Sequence, residues 1–203
     1  RNLKMKKVDA GTKNIGLYAA MAASYTAALP MVNGALMQLF LADKGLTTVQ
    51  IGTFATVVQM STLLGTMLFS KTVDKSGNPK RFTGLVLLGQ TLLSLSYLLI
   101  AKSSISAHVI LLLTAMLAAM ITGLAALKGI LDYKLPYQII PLDQYGNMIF
   151  FNSAINGVVG IGLSFCFSRI IAVKLGGQPY LWCMVLASAL LLISSASCLS
   201  MKP

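Results

Sequence analysis

Charge is missing from most of this chain, and the gaps recur at a regular length. Its 16 Lys and Arg and 5 Asp and Glu residues leave six long uncharged runs, 14–42, 45–70, 82–101, 103–127, 144–168 and 175–201, among 203 residues. A helix that crosses a hydrocarbon layer of roughly 30 Å needs about 20 apolar residues, so every run is long enough to span a bilayer. A soluble helical bundle would put a charge on its wet face every three or four residues, and these runs carry none. The alternating segments of about ten residues that a membrane barrel requires are also missing. The first run exceeds the apolar core of about 7–15 residues found in a cleaved signal peptide. The chain therefore reads as an all-α membrane protein with six transmembrane helices. The expected spans are about 17–41, 49–70, 82–101, 106–127, 148–172 and 180–200, preceded by an N-terminal segment, 1–16, and followed by the first residues of a loop, 201–203.

Where the bases fall decides what the net charge of +11 means. Twelve lie in the N-terminal segment, the second-to-third and fourth-to-fifth connections and the tail; the other connections hold Lys44, Lys102, Arg169 and Lys174. Bases concentrate in cytoplasmic loops, so this bias puts both termini on the cytoplasmic side of a cell membrane, inner or plasma. The basic loops then flank a lipid bilayer, and no nucleic-acid partner is expected. Cys166, Cys183 and Cys198 sit in apolar runs without metal-ligand spacing and read as small fillers. No metal or cofactor motif stands out.

Inside the spans, Pro30 must kink the first helix or free a carbonyl. Ala115, Ala119 and Gly123 recur every four residues in the fourth span, and Gly160, Ser164 and Ser168 in the fifth, beside Gly157 and Gly162. Such stripes let helix backbones approach where lipid is as apolar as the side chains.

After the second span the chain reads FSKTVDKSGNPKRF. Asp74, Lys75, Gly77, Lys80 and Arg81 resemble the cytoplasmic signature loop of the major facilitator superfamily, roughly G-x-L-a-D-r-x-G-r-k between its second and third helices. Ser70, Thr72 and Asn78 depart from that pattern. A second polar loop, IIPLDQYGNM, precedes the glycine-rich fifth span. The resemblance implies a major-facilitator-type N-terminal bundle in which this loop braces a cytoplasmic gate. Its aspartate, Asp74, would meet a helix N-terminus in the other half, where a carboxylate is stabilised. Its base, Lys75, would pair with Asp132 beyond the fourth span; the other reading of Asp132 is a surface pair with Lys128, four residues earlier. The family has two such halves, so the expected partner is a second six-helix half, in the same chain or as a dimer mate. The chain starts at Arg1 and stops at Pro203, just after the sixth span, and the simplest expectation is the N-terminal half of a longer transporter.

Polar side chains within spans face protein or water, because lipid does not satisfy them. Asn33, Gln59, Gln90 and Asn156 lie near the expected midplane, with Tyr25 and Asn152 a turn or two away. In the superfamily helices one, two, four and five line the cavity, which implies Tyr25, Asn33, Gln59, Asn152 and Asn156 as solute contacts and Gln90 as an interhelical bond. No Asp, Glu, Lys or Arg falls in the central stretch of any span. The solute is therefore expected to be small and neutral or amphipathic, or the coupling carboxylate belongs to the other half. Enzymatic readings fail on residues: His108 is the one histidine and lies near a span end, Glu is absent, and neither G-x-S-x-G nor H-E-x-x-H occurs. The expected function is secondary transport by alternating access. The alternative is a six-helix scaffold whose polar residues bind only neighbouring helices.

Overall fold

A computed structural model of the chain describes residues 2–74, 77–173 and 178–202, with the backbone alone for residues 2–11, Thr72 and Asp74. It is helical, with α1 (Asn2–Val32), α2 (Ala35–Asp43), α3 (Thr48–Asp74), α4 (Pro79–Lys102), α5 (Ala107–Ile139), a single 3-10 turn (Leu142–Gln144), α6 (Tyr145–Ala172) and α7 (Pro179–Ser200). No strand occurs among the described residues. Among the described residues six helical stretches are long and apolar enough to cross a membrane, Thr12–Asp43, Thr48–Lys71, Pro79–Lys102, Ala107–Ile139, Leu142–Ala172 and Pro179–Ser200, as in a multi-pass membrane protein.

Local chemistry accounts for the helix ends. Thr47 and Gln50 open α3 reciprocally: the Thr47 amide donates to Gln50 Oε1 at 2.9 Å, and the Gln50 amide to Thr47 Oγ1 at 3.4 Å. Asn78 caps α4 by accepting the Arg81 amide at 3.1 Å, and Pro79 fills the first helical position, where a missing N–H is harmless. Gly45, at φ +84°, turns the chain out of α2. Within α3 the hydroxyls of Ser61, Thr62 and Thr66 donate to carbonyls four residues back, which satisfies them without a neighbour.

Two expected boundaries shift. The first span is not one kinked rod: α1 continues through Pro30 and stops at Val32, and α2 begins at Ala35. A side chain at Gly34 would come within 2.8 Å of the Pro30 Cα, so the break is built around a residue without a Cβ. The fourth span, expected to end near 127, runs on through Gly129 and Pro136 to Ile139, because Leu131, Leu135 and Ile139 keep burying one face. Residues 2–16 of the expected N-terminal segment also belong to α1.

The spans alternate in direction. At one end Asn14 bonds the carbonyls of Ile139 and Lys202, and Lys80 that of Met201; at the other, Lys44 bonds Ala101 and Gln50 meets His108. We term the first the basic end. In cross-section α4, α5, α1 and α7 form a central four-helix group: α4 packs on α5 and α7, and α7 on α1, while α1 and α5 touch lightly. On its flanks α3 packs on α5, and α6 on α1. Exchanging spans one with four, two with five and three with six converts this packing plan into itself. Since spans one and four run in opposite directions, the main contacts follow the plan that an inverted repeat of two three-helix units would give.

Interhelical hydrogen bonds hold the central group. Ser94 Oγ and Ser188 Oγ are 2.8 Å apart across α4 and α7, Ser195 Oγ donates to the Gly84 carbonyl at 3.1 Å, and Ser194 Oγ to that of Met21 at 2.8 Å. The stripe in α5 is used as expected: Gly65 of α3 lies against Gly123 and Ala126, so close that a Cβ there would sit 3.0 Å from the Ala126 Cβ. The α6 stripe is different. Nothing lies within 4 Å of where a Cβ would stand on Gly157, Gly160 or Gly162.

Candidate functional site

The interior is more polar than the charge-free runs imply. Since α5 continues past residue 127, it carries Lys128 and Asp132 into the bundle with side chains only 5% and 30% exposed. Lys128 Nζ donates to Asp132 Oδ2 at 2.5 Å and stands 4.1 Å from the centre of the Tyr25 ring. An ammonium over an aromatic face gains electrostatic attraction that grows when water is excluded. Tyr25 also accepts from Gln90 Nε2 at 3.4 Å, and the same nitrogen donates to the Ile121 carbonyl at 3.0 Å. A polar thread therefore joins α1, α4 and α5, from Asp132 near the basic end to Gln90 in the core. Burying an ammonium in an apolar interior is unfavourable unless it is paired, and Lys128 has both a carboxylate and a π face.

This corrects the expectation that Asp132 lies beyond the fourth span. The central stretch of each span is uncharged, but the ion pair lies within the fourth helix rather than beyond it. The clue was in the sequence: Lys128 and Asp132 are four apart, so they face each other on a helix and neutralise one another.

Of the residues expected to contact solute, Tyr25 is buried at 9% exposure beneath Lys128, Asn33 is half-buried at the α1–α2 break, and Gln59 is exposed on α3. Asn152 and Asn156 are half-buried on α6, with Asn156 Nδ2 donating to Asn152 Oδ1 at 3.2 Å. The structure does not bring all five together. Gln90 makes the interhelical bond expected of it. Replacing Gln90 with Leu should lower bundle stability by about 1 kcal/mol, the scale of a hydrogen bond between membrane helices, measured by unfolding in detergent.

Of the residues expected to gate, Gly77, Lys80 and Arg81 line a shared depression with Gln138 and Ile139 at the end of α5. Lys80 Nζ bonds the Met201 carbonyl, and Lys134 Nζ of α5 donates to the Val73 carbonyl at 3.1 Å. Lys75 and the side chain of Asp74 lie outside the described residues. Asp132 pairs with Lys128 and is half-buried rather than fully at the surface; its expected pairing with Lys75 lies outside the described residues. Among the described residues no cluster of His, Cys, Asp and Glu is placed to hold a metal ion.

No protein-family model, curated protein or solved structure matches this chain.

Proposed function

We propose that the chain is the N-terminal half of a secondary transporter of the major facilitator type, moving a small neutral or amphipathic solute by alternating access. The observation that carries this reading is the inverted-repeat packing plan, in which α1 and α5 face each other across a light contact and α3 and α6 flank them. Such a plan allows two sets of helices to exchange roles between outward and inward states. The unoccupied glycines of α6 add to it, since a helix that faces lipid alone has no use for a smooth stripe. A second six-helix half would cover that face. The signature-like loop at Asp74–Arg81, set against the end of α5, would brace the gate.

The test is uptake or efflux of candidate solutes into vesicles holding the full-length protein, wild type against Asp74→Asn. Transport should fall at least tenfold in the variant if Asp74 holds the gate. An unchanged rate would remove Asp74 from that role, and no transport of any solute class by the wild type would end the reading.

A further inference from the structure

Helices α3 and α4 are consecutive in the chain, yet each packs on α5 and they scarcely touch one another among the described residues. A cleft of about 400 Å³ opens between them. Leu64 and Leu68 of α3 form one wall, Leu93 of α4 the other, and Met120 and Gly123 of α5 the floor. Nothing lies within 4 Å of where a Cβ would stand on Gly123, so the floor is open at that point. The hydroxyl that lines the cleft, on Ser61, donates to the Val57 carbonyl at 2.7 Å, so none of the lining side chains requires a hydrogen bond from an occupant. The mouth of the cleft is charged. Leu64, Leu68 and Lys71 are spaced i, i+4 and i+7 and share one face of α3, so Lys71 ends that wall at the basic end. Arg81, the third residue of α4, stands at the same end and also lines the depression shared with Lys80 and Gln138. Both bases are exposed, and neither has a carboxylate partner among the described residues. Ten residues separate Ser61 from Lys71, a rise of about 15 Å along α3, and half of a hydrocarbon layer of roughly 30 Å has the same depth.

We propose that this cleft holds one acyl chain of an anionic phospholipid from the leaflet at the basic end, with the phosphate held by Lys71 and Arg81. Basic pockets between transmembrane helices, on the side rich in Lys and Arg, are where acidic head groups bind. Charge complementarity selects the head group, and the apolar walls take the tail over the depth of one leaflet. Long basic side chains suit the place, since their stems lie along apolar surface while the charged ends reach the phosphate level. The lipid also has a mechanical role. Helix α3 packs on α5 and lightly on α2, so its flank toward α4 is unsupported, and a chain wedged between α3 and α4 ties that flank to the bundle. This site is independent of the function proposed above, because no transported solute takes part in it.

The experiment is native mass spectrometry of the full-length protein, delipidated in detergent and then offered equal amounts of phosphatidylglycerol and phosphatidylcholine with the same acyl chains. The wild type should retain one phosphatidylglycerol per chain in preference to phosphatidylcholine by about thirtyfold, since each base near an anionic surface is worth about fivefold. The double variant Lys71→Gln with Arg81→Gln should abolish that preference. Gly123→Leu, whose Cβ meets no atom within 4 Å, should fill the cleft and lower retention of both lipids at least tenfold. The double variant alters only exposed side chains, so it decides the matter even if Gly123→Leu does not fold. Equal retention of the two lipids by the wild type, or a preference that survives removal of both bases, overturns the proposal. So does inorganic phosphate, offered alone, binding as tightly as phosphatidylglycerol, which would assign the bases to a free anion. A changed oligomeric state in Gly123→Leu with lipid retention intact also overturns it, and would assign the cleft to a second copy of this chain.

Discussion

Asp132→Asn should destabilise the folded bundle by about 3 kcal/mol, read as the shift in unfolding free energy of the full-length protein in mild detergent. Removing one partner of a buried ion pair leaves the other uncompensated, which costs about 3–5 kcal/mol. The lower end applies because Asp132 is 30% exposed. Lys128→Met should cost less, since the carboxylate left behind is the more solvated member and methionine keeps most of the lysine stem. Combining the two changes should recover most of the loss, as replacing a whole buried pair by apolar groups is often neutral. A single Asp132→Asn variant as stable as wild type would mean that water already compensates Lys128, and the interior assigned to this pair would be wrong.

The second large effect separates two glycines that look alike in the sequence. Gly65→Leu should destabilise the bundle by at least 1–3 kcal/mol, because the new side chain meets backbone: the Cα and carbonyl oxygen of Gly123 would lie 3.1 and 3.2 Å from its Cβ. Neither atom can yield without parting α3 from α5. Gly160→Leu meets nothing within 4 Å on its own bundle. Its effect in the full-length protein therefore reports on what covers α6. Packing by a second bundle predicts a loss of about 1–3 kcal/mol. Coverage by lipid predicts a change within about 0.5 kcal/mol. The transporter reading requires the former, and unfolding of the two variants side by side decides it.

What the sequence made legible was whatever depends on solvation. The number of long helices follows from where charge is forbidden and the role of Gly123 from the need to pack in lipid, while the bond of Gln90 was implied by the family resemblance. The rule failed at Lys128, because it treats any charge as the end of a span. Two opposite charges one turn apart cancel on the helix surface, and the apolar periodicity carried by Leu131 and Leu135 runs on beneath them. Pro30 announced an irregular first span, but the break fell at Asn33 and Gly34, where the absence of a Cβ lets the chain fold back on Pro30. The pairing of helices distant in sequence was not legible. It depends on contacts between residues more than a hundred positions apart, such as Ser195 with Gly84 and Ser194 with Met21, which no local pattern encodes.

Asn14 deserves a last look for what it does to motion. Its amide nitrogen donates to Ile139 and Lys202 at 2.7 Å each, and its oxygen accepts the Lys202 amide at 3.0 Å. One side chain of α1 thus ties the last residue of α5 and the residue two beyond α7 together, like a pin through three plates. Members of both three-helix repeats are fastened there. In the transport proposed above, rocking between the two three-helix units would pivot about this pin, with an amplitude that grows toward the far end of the bundle.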